Sequence, residues 1–227
     1  MAGEILDAEE VERLLNMMDG DKSPPTQPQF KFEAHQEECT AKRFDKGVMK
    51  TLQLMHDRLA HRFAAKISKM LQSVVDVKLA TVDQMHYSEF VFGCDNPSCF
   101  NLVRLESSRA TGSMILDINP VIIYPMIDRM LGGGSEPSMA ARRALTNIEW
   151  KLAQRIIDEF LYELHVAWQN VVDMECTVAQ QESNPQMICV MESDLLVVVL
   201  CFDVFLAERR GSVSLCIPVD LLKQLLH

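Results

Sequence analysis

The sequence predicts an α+β domain built as an internal duplication, and three observations point to it. Two long stretches carry apolar residues at a 3.6-residue period, the mark of amphipathic helices. Short runs with strand character follow each long helix in a group, so helices pack on a sheet instead of alternating with parallel strands. The order long helix, strands, proline, short helix then occurs twice, which implies a pseudo-two-fold relation between the halves. Sequence similarity between the halves is weak, so the duplication rests on element order.

The first long helix is expected over 48–72, with Leu52, Met55, Leu59, Phe63, Ile67 and Met70 or Leu71 on one face. Strands are expected at 74–79, 89–92, 100–105 and 113–118. Asn119-Pro120 then opens a helix carrying Ile122, Ile123, Met126, Ile127 and Met130, which tolerates Pro125 in its early turns. Gly132, Gly133 and Gly134 stop it, because residues without Cβ leave φ unrestrained. After a polar connector, Thr146 and Glu149 form a capping box, with Leu145 and Trp150 placed as its hydrophobic staple. The second long helix, 146–169, is expected to bury Ile148, Leu152, Ile156, Phe160, Leu164 and Ala167. Strands follow at 173–178, 187–191, 195–206 and 212–217. Pro218 opens the last helix, with Leu221, Leu222, Leu225 and Leu226.

The 227 residues, 48% of them apolar, suffice for one substantial core. A net charge of −10 opposes binding to nucleic acid or an anionic membrane, because phosphates would be repelled. The longest apolar run, 195–202, falls far short of the ~20 residues of a membrane span. The acidic N-terminus lacks a signal-peptide pattern. The seven cysteines are an odd number, and Cys176, Cys189, Cys201 and Cys216 sit in strand-like runs, so they read as buried thiols in a reducing cytosol.

Residues 1–20 form a separate acidic amphipathic peptide. Asp7 is its N-cap with Glu10 at N3, Leu6 and Val11 make a staple, Leu14, Leu15 and Met18 extend the apolar stripe, and Gly20 closes it. So short a helix is marginal alone in water and needs a surface to bury against. Residues 21–43 carry Pro24, Pro25 and Pro28 without periodicity and are expected to be a flexible tether. Such a tether spans roughly 25–30 Å and holds a captured partner at about millimolar effective concentration. The domain itself occupies 44–227.

Several short motifs, in order along the chain, resemble the flagellar motor switch family FliM: 5–16 (ILDAEEVERLLN), Phe44-Asp45, Asn101-Leu102, Arg109-x-Thr111-Gly112, Asp128-x-x-Leu131-Gly132-Gly133, Thr146-x-x-Glu149 and Asn184-Pro185-Gln186. The resemblance implies a duplicated α+β domain of the CheC/FliM type in a rotor-ring subunit of the bacterial flagellar basal body, at the cytoplasmic face of the inner membrane. It implies that the N-terminal peptide captures the phosphorylated regulator CheY through Ile5, Leu6, Glu10, Val11, Leu14, Leu15 and Asn16. It also implies that the glycine loop holds the rotor protein FliG, through Asp128, Leu131, Gly132, Gly133, Gly134, Ser135, Arg142 and Arg143. Neighbouring subunits are expected to pack side by side in a ring. Two departures matter. The family loop Gly-Gly-x-Gly has Ser135 at its fourth place here, and serine adopts positive φ only at a cost of order 1 kcal/mol. The family's C-terminal domain, which binds FliN, has no counterpart in these residues, so a FliN-like partner is not expected.

The competing reading in the same superfamily is a CheC-like phosphatase of the phosphorylated regulator, which carries Glu and Asn three apart on each long helix. No Glu in this chain is followed three residues later by Asn, and Glu149 is explained as a cap. A regulator-capturing paralogue without a rotor role is the other alternative. His56 and His61 do not share a helical face, the pair Cys94 and Cys99 has no second pair nearby, and the glycine loop lacks the Lys-Ser/Thr of a phosphate-binding loop. No catalytic residue, metal or cofactor is expected. Arg142 and Arg143 read equally as a solvated connector or a charged rim. Met49, His56, Arg58, His165 and Gln169 are candidates for lateral ring contacts, and Asn184-Pro185-Gln186 reads as a turn.

Overall fold

Asp45 starts the domain's first helix by accepting the Gly47 amide at 3.3 Å, and the Phe44 amide beside it donates to the Gln84 side chain at 3.1 Å. The computed structural model describes residues 44–133, 143–188 and 191–226. Its elements run α1 (Lys46–Leu71), β1 (Val75–His86), α2 (Tyr87–Gly93), β2 (Cys99–Ser107), β3 (Thr111–Ile118), α3 (Pro120–Met130), α4 (Asn147–Trp168), β4 (Met174–Glu182), a 3-10 turn (Pro185–Met187), β5 (Leu196–Leu206), β6 (Arg209–Pro218) and α5 (Val219–Leu226).

The strands form a six-stranded antiparallel sheet in the order β1-β5-β6-β3-β2-β4. Exchanging first-half strands for second-half strands reverses that order onto itself, as a pseudo-two-fold axis between β3 and β6 requires. The equivalence reaches single residues at an offset of 99. Ala80 bulges from β1 opposite Cys201 and Phe202, and Ala179 bulges from β4 opposite Leu102 and Val103. Leu116 pairs with Leu215, each the other's equivalent, so the axis crosses the sheet between them. The long helices follow with an offset of 97. Buried His56, Leu59, Ala60, Phe63, Ala64, Ile67 and Leu71 correspond to Ala153, Ile156, Ile157, Phe160, Leu161, Leu164 and Trp168. The link from α4 to β4 is therefore two residues longer than that from α1 to β1. The duplication expected from element order is thus a register-level symmetry.

Helices α1, α3, α4 and α5 share the main core on one face of the sheet. A smaller core on the other face holds Tyr87, Phe90, Phe100, Ile115, Ile188, Val197 and Cys216. This second layer corrects two expected strands. Residues 89–92 lie in α2, and the 187–191 segment begins at the last residue of the 3-10 turn and has no strand character at its described positions. Tyr87 and Phe90, one helical turn apart, both bury on the sheet, so the segment covers the sheet instead of extending it. The apolar stripe of α4 is also turned from the expected one. Ile148 is 70% exposed, while Ala153, Ile157, Leu161 and Trp168 are buried. Pro218 ends β6, and α5 begins at Val219.

Candidate functional site

The glycine break ends α3 as a Schellman motif. The Gly132 amide donates to the Arg129 carbonyl at 3.0 Å and the Gly133 amide to the Asp128 carbonyl at 2.9 Å, which satisfies two of the helix's last carbonyls. Gly132 carries φ +84, a conformation open to glycine at little cost. Gly133 is constrained differently: its φ is not left-handed, but a Cβ there would run into the Asp128 carboxylate. Positive φ thus falls on Gly132 and close side-chain approach on Gly133. Leu131, the C-cap just before them, stands 66% exposed.

The connector returns through a clamp. Arg143 donates both guanidinium nitrogens to Glu149, at 2.8 and 2.6 Å, in the bidentate geometry that makes such pairs strong. Its guanidinium lies 5.4 Å from the Tyr124 ring of α3, and the Tyr124 hydroxyl donates to the Arg143 carbonyl. Glu149 closes the predicted capping box as well, accepting from the Thr146 amide at 2.7 Å. Hydrogen bonding to Arg143, then to Thr146, holds its carboxyl down at about 2. Arg143, its side chain still half exposed, thus ties the end of the connector to both helices. Leu145 is buried and Trp150 packs against the main core. Gly134, Ser135 and Arg142, like Ile5, Leu6, Glu10, Val11, Leu14, Leu15 and Asn16, lie outside the described residues.

Several motif residues have architectural reasons. Buried Asn101 donates to the Cys99 and Leu116 carbonyls and accepts from Gln181, joining β2 to β3 and β4. Arg109 donates to the Leu225 carbonyl at 3.1 Å, where a cation meets the end of α5. Gly112 lets α5 approach, since a Cβ there would sit 2.8 Å from Leu221; its equivalent Gly211 does the same for Ile122 of α3. Asn184 accepts from the Gln186 amide at 3.1 Å, which makes the expected turn.

The two outer strands present different chemistry. Along β1, helix α1 exposes Lys46, Lys50, Arg58 and Lys69, whereas Lys66 turns toward α4, over the Tyr162 ring. Along β4, a groove of about 1220 Å³ lies between α4 and the strand, lined by Glu106, Asp158, Asp173 and Glu175 with Tyr162 and His165. Of the lateral candidates, Arg58 belongs to the basic side and His165 to the groove. His56 does not qualify. It is fully buried, with Nδ1 toward the Leu52 carbonyl at 2.8 Å and Nε2 accepting from the Trp168 indole at 3.3 Å. Periodicity alone could not tell a buried histidine from an exposed one.

Pattern reading also missed two buried polar groups. Glu163 is buried on α4 and accepts from Arg62 of α1 at 2.6 Å. Asp117 accepts from the Ser98 hydroxyl inside the smaller core, and burial pushes its carboxyl up to about 7. Among the described residues, no group of three or more His, Cys, Asp or Glu side chains is placed to hold a metal. No described helix is long and apolar enough to cross a membrane.

The profile of the family described as "Flagellar motor switch protein FliM" matches residues 45–227. FliM of Treponema pallidum is 31% identical over 176 residues, covering 78% of this chain and 50% of the relative. FliM of Bacillus subtilis is 28% identical over 232 residues, covering 100% of this chain and 68% of the relative. The chain therefore spans about half the length of the first of these relatives. The fold is similar to a chain of the FliG–FliM complex from H. pylori, with a TM-score of 0.77 at 28% identity over 81% of this chain and 99% of that one.

Proposed function

Because this chain belongs to the FliM family of flagellar motor switch proteins, we propose that it is a non-enzymatic rotor-ring scaffold whose α3–α4 connector holds a FliG-like protein. The observation that carries the reading is the connector's construction. Leu131 stands exposed where Gly132 and Gly133 close α3, and Arg143 is pinned to α3 and α4, so a partner meets these two residues already held in place. A FliM chain of H. pylori has been crystallised in complex with FliG, which supports this choice of partner.

The domain would act with two further parts. The 1–20 peptide captures a phosphorylated CheY-like regulator, and the 21–43 tether keeps it near the ring. Capture shifts rotation only as far as the bound regulator prefers one ring state over the other. Ring growth would place the basic α1 face of one copy against the acidic α4–β4 groove of the next. That contact is heterologous and closes into a ring when its rotation divides the circle. The absence of any Glu-x-x-Asn spacing favours the scaffold over a phosphatase.

Co-purification with a FliG-like rotor protein tests this reading. The native chain should retain it and Leu131→Asp should lose it while keeping its circular-dichroism spectrum; retention by both would remove the connector from the contact.

A further inference from the structure

On the face of the sheet opposite the long helices, α2 and the 3-10 turn flank an apolar pocket of about 260 Å³. Val91, Phe92, Ile188 and Met191 supply its apolar walls. The α2 end is held rigidly, because the Tyr87 and Ser88 amides donate to the Leu195 and Ser193 carbonyls at 2.8 and 3.0 Å, and the Tyr87 hydroxyl donates to the Ile188 carbonyl. Phe92 stands 84% exposed at the mouth, and Met187 is exposed beside it. Water-exposed aromatic surface next to a preformed apolar hollow is what a docking site offers.

Charge defines the occupant. Every residue lining this pocket comes from two segments that hold no lysine or arginine: none occurs between Lys78 and Arg104, or between Arg155 and Arg209. Exposed Glu89, Glu192 and Asp194 are chain neighbours of the lining residues Ser88 and Ser193. Farther along the sheet, Lys78 and Arg210 lie over the Phe205 ring and pair with Asp76 and Asp203. We propose that this pocket docks a cationic amphipathic segment of a partner protein, with one large apolar side chain in the hollow and Lys or Arg on the acidic rim. It is a site apart from the α3–α4 connector, and it does not depend on that connector binding FliG.

The test uses the full chain and a short fluorescein-labelled helical peptide with lysines on one face and leucines and one phenylalanine on the other. Fluorescence anisotropy should show saturable binding that weakens with salt, as a screened charge contact does. Phe92→Ser, or Glu89→Lys with Glu192→Lys, should weaken it about tenfold or more. Asp158→Lys with Glu175→Lys, in the α4–β4 groove, should leave it unchanged. These substitutions fall on exposed side chains, so folding is preserved. Absence of saturable binding would overturn the proposal. So would equal binding of a peptide with Glu in place of Lys, or loss of binding in the groove variant alone. Concentration-dependent self-association lost on Phe92→Ser, with no peptide binding, would assign the pocket to a second copy and likewise overturn it.

Discussion

Phe63 of α1 and Phe160 of α4 meet edge to face, with ring centroids 5.3 Å apart and planes at 86°. Each is the other's equivalent in the duplication, so the pseudo-two-fold axis that passes between Leu116 and Leu215 in the sheet passes between these rings in the helix layer. Phe202 extends the stack, edge-on to Phe160 at 5.6 Å. Phe63→Ala should cost about 3–5 kcal/mol by urea denaturation, the range for a buried aromatic. Adding Phe160→Ala should cost less than the sum, because the two rings share one contact. Full additivity would mean the rings act independently.

Arg62 and Glu163 join the same two helices electrostatically. Arg62→Ala strands a buried carboxylate and should destabilise by about 3 kcal/mol or more, whereas Arg62→Met with Glu163→Leu should recover most of the loss. A double variant less stable than Arg62→Ala would show that the pair itself supplies net stability.

Two buried groups set opposing pH trends. Burial lowers His56 to about 4, against an ordinary 6.5, so its contribution is present above 6.5 and is lost as pH falls toward 4. Asp117, raised from 3.8 to about 7, contributes in the other sense: stability gained below 3.8 is lost as pH rises through 7. Asp117→Asn should therefore gain on the native protein as pH climbs from 4 to 8. A stability difference independent of pH would contradict the Asp117 assignment.

Charge reversal at the sheet's two ends tests the proposed ring contact. Lys50→Glu with Arg58→Glu should abolish self-association in sedimentation velocity, and Asp158→Lys with Glu175→Lys on the opposing copy should restore mixed assembly. Unchanged assembly by the first pair would remove α1 from the interface.

Much of this was legible in the residues. The Thr146–Glu149 box, the Gly132 stop and the Pro120 start are local chemistry, decided within one helical turn. The strand runs at 89–92 and 187–191 misled because Tyr87, Phe90 and Ile188 are apolar for a second core, which short-range patterns cannot distinguish from strand character. Arg143 could be placed only by a tertiary contact, its approach to Tyr124, and the half-buried Arg62–Glu163 pair joins residues from opposite halves of the chain.

We propose that the α3–α4 connector forms the contact with FliG. It is tested most directly by calorimetric titration of the chain with a FliG middle domain, comparing native protein with Gly133→Val. Asp128 is exposed and its carboxylate can swing aside, so the substitution changes the tip's shape more than the fold's stability. The native chain should bind at about micromolar affinity, and the variant about tenfold or more weakly, at an unchanged melting temperature. Equal affinity for both proteins would contradict it.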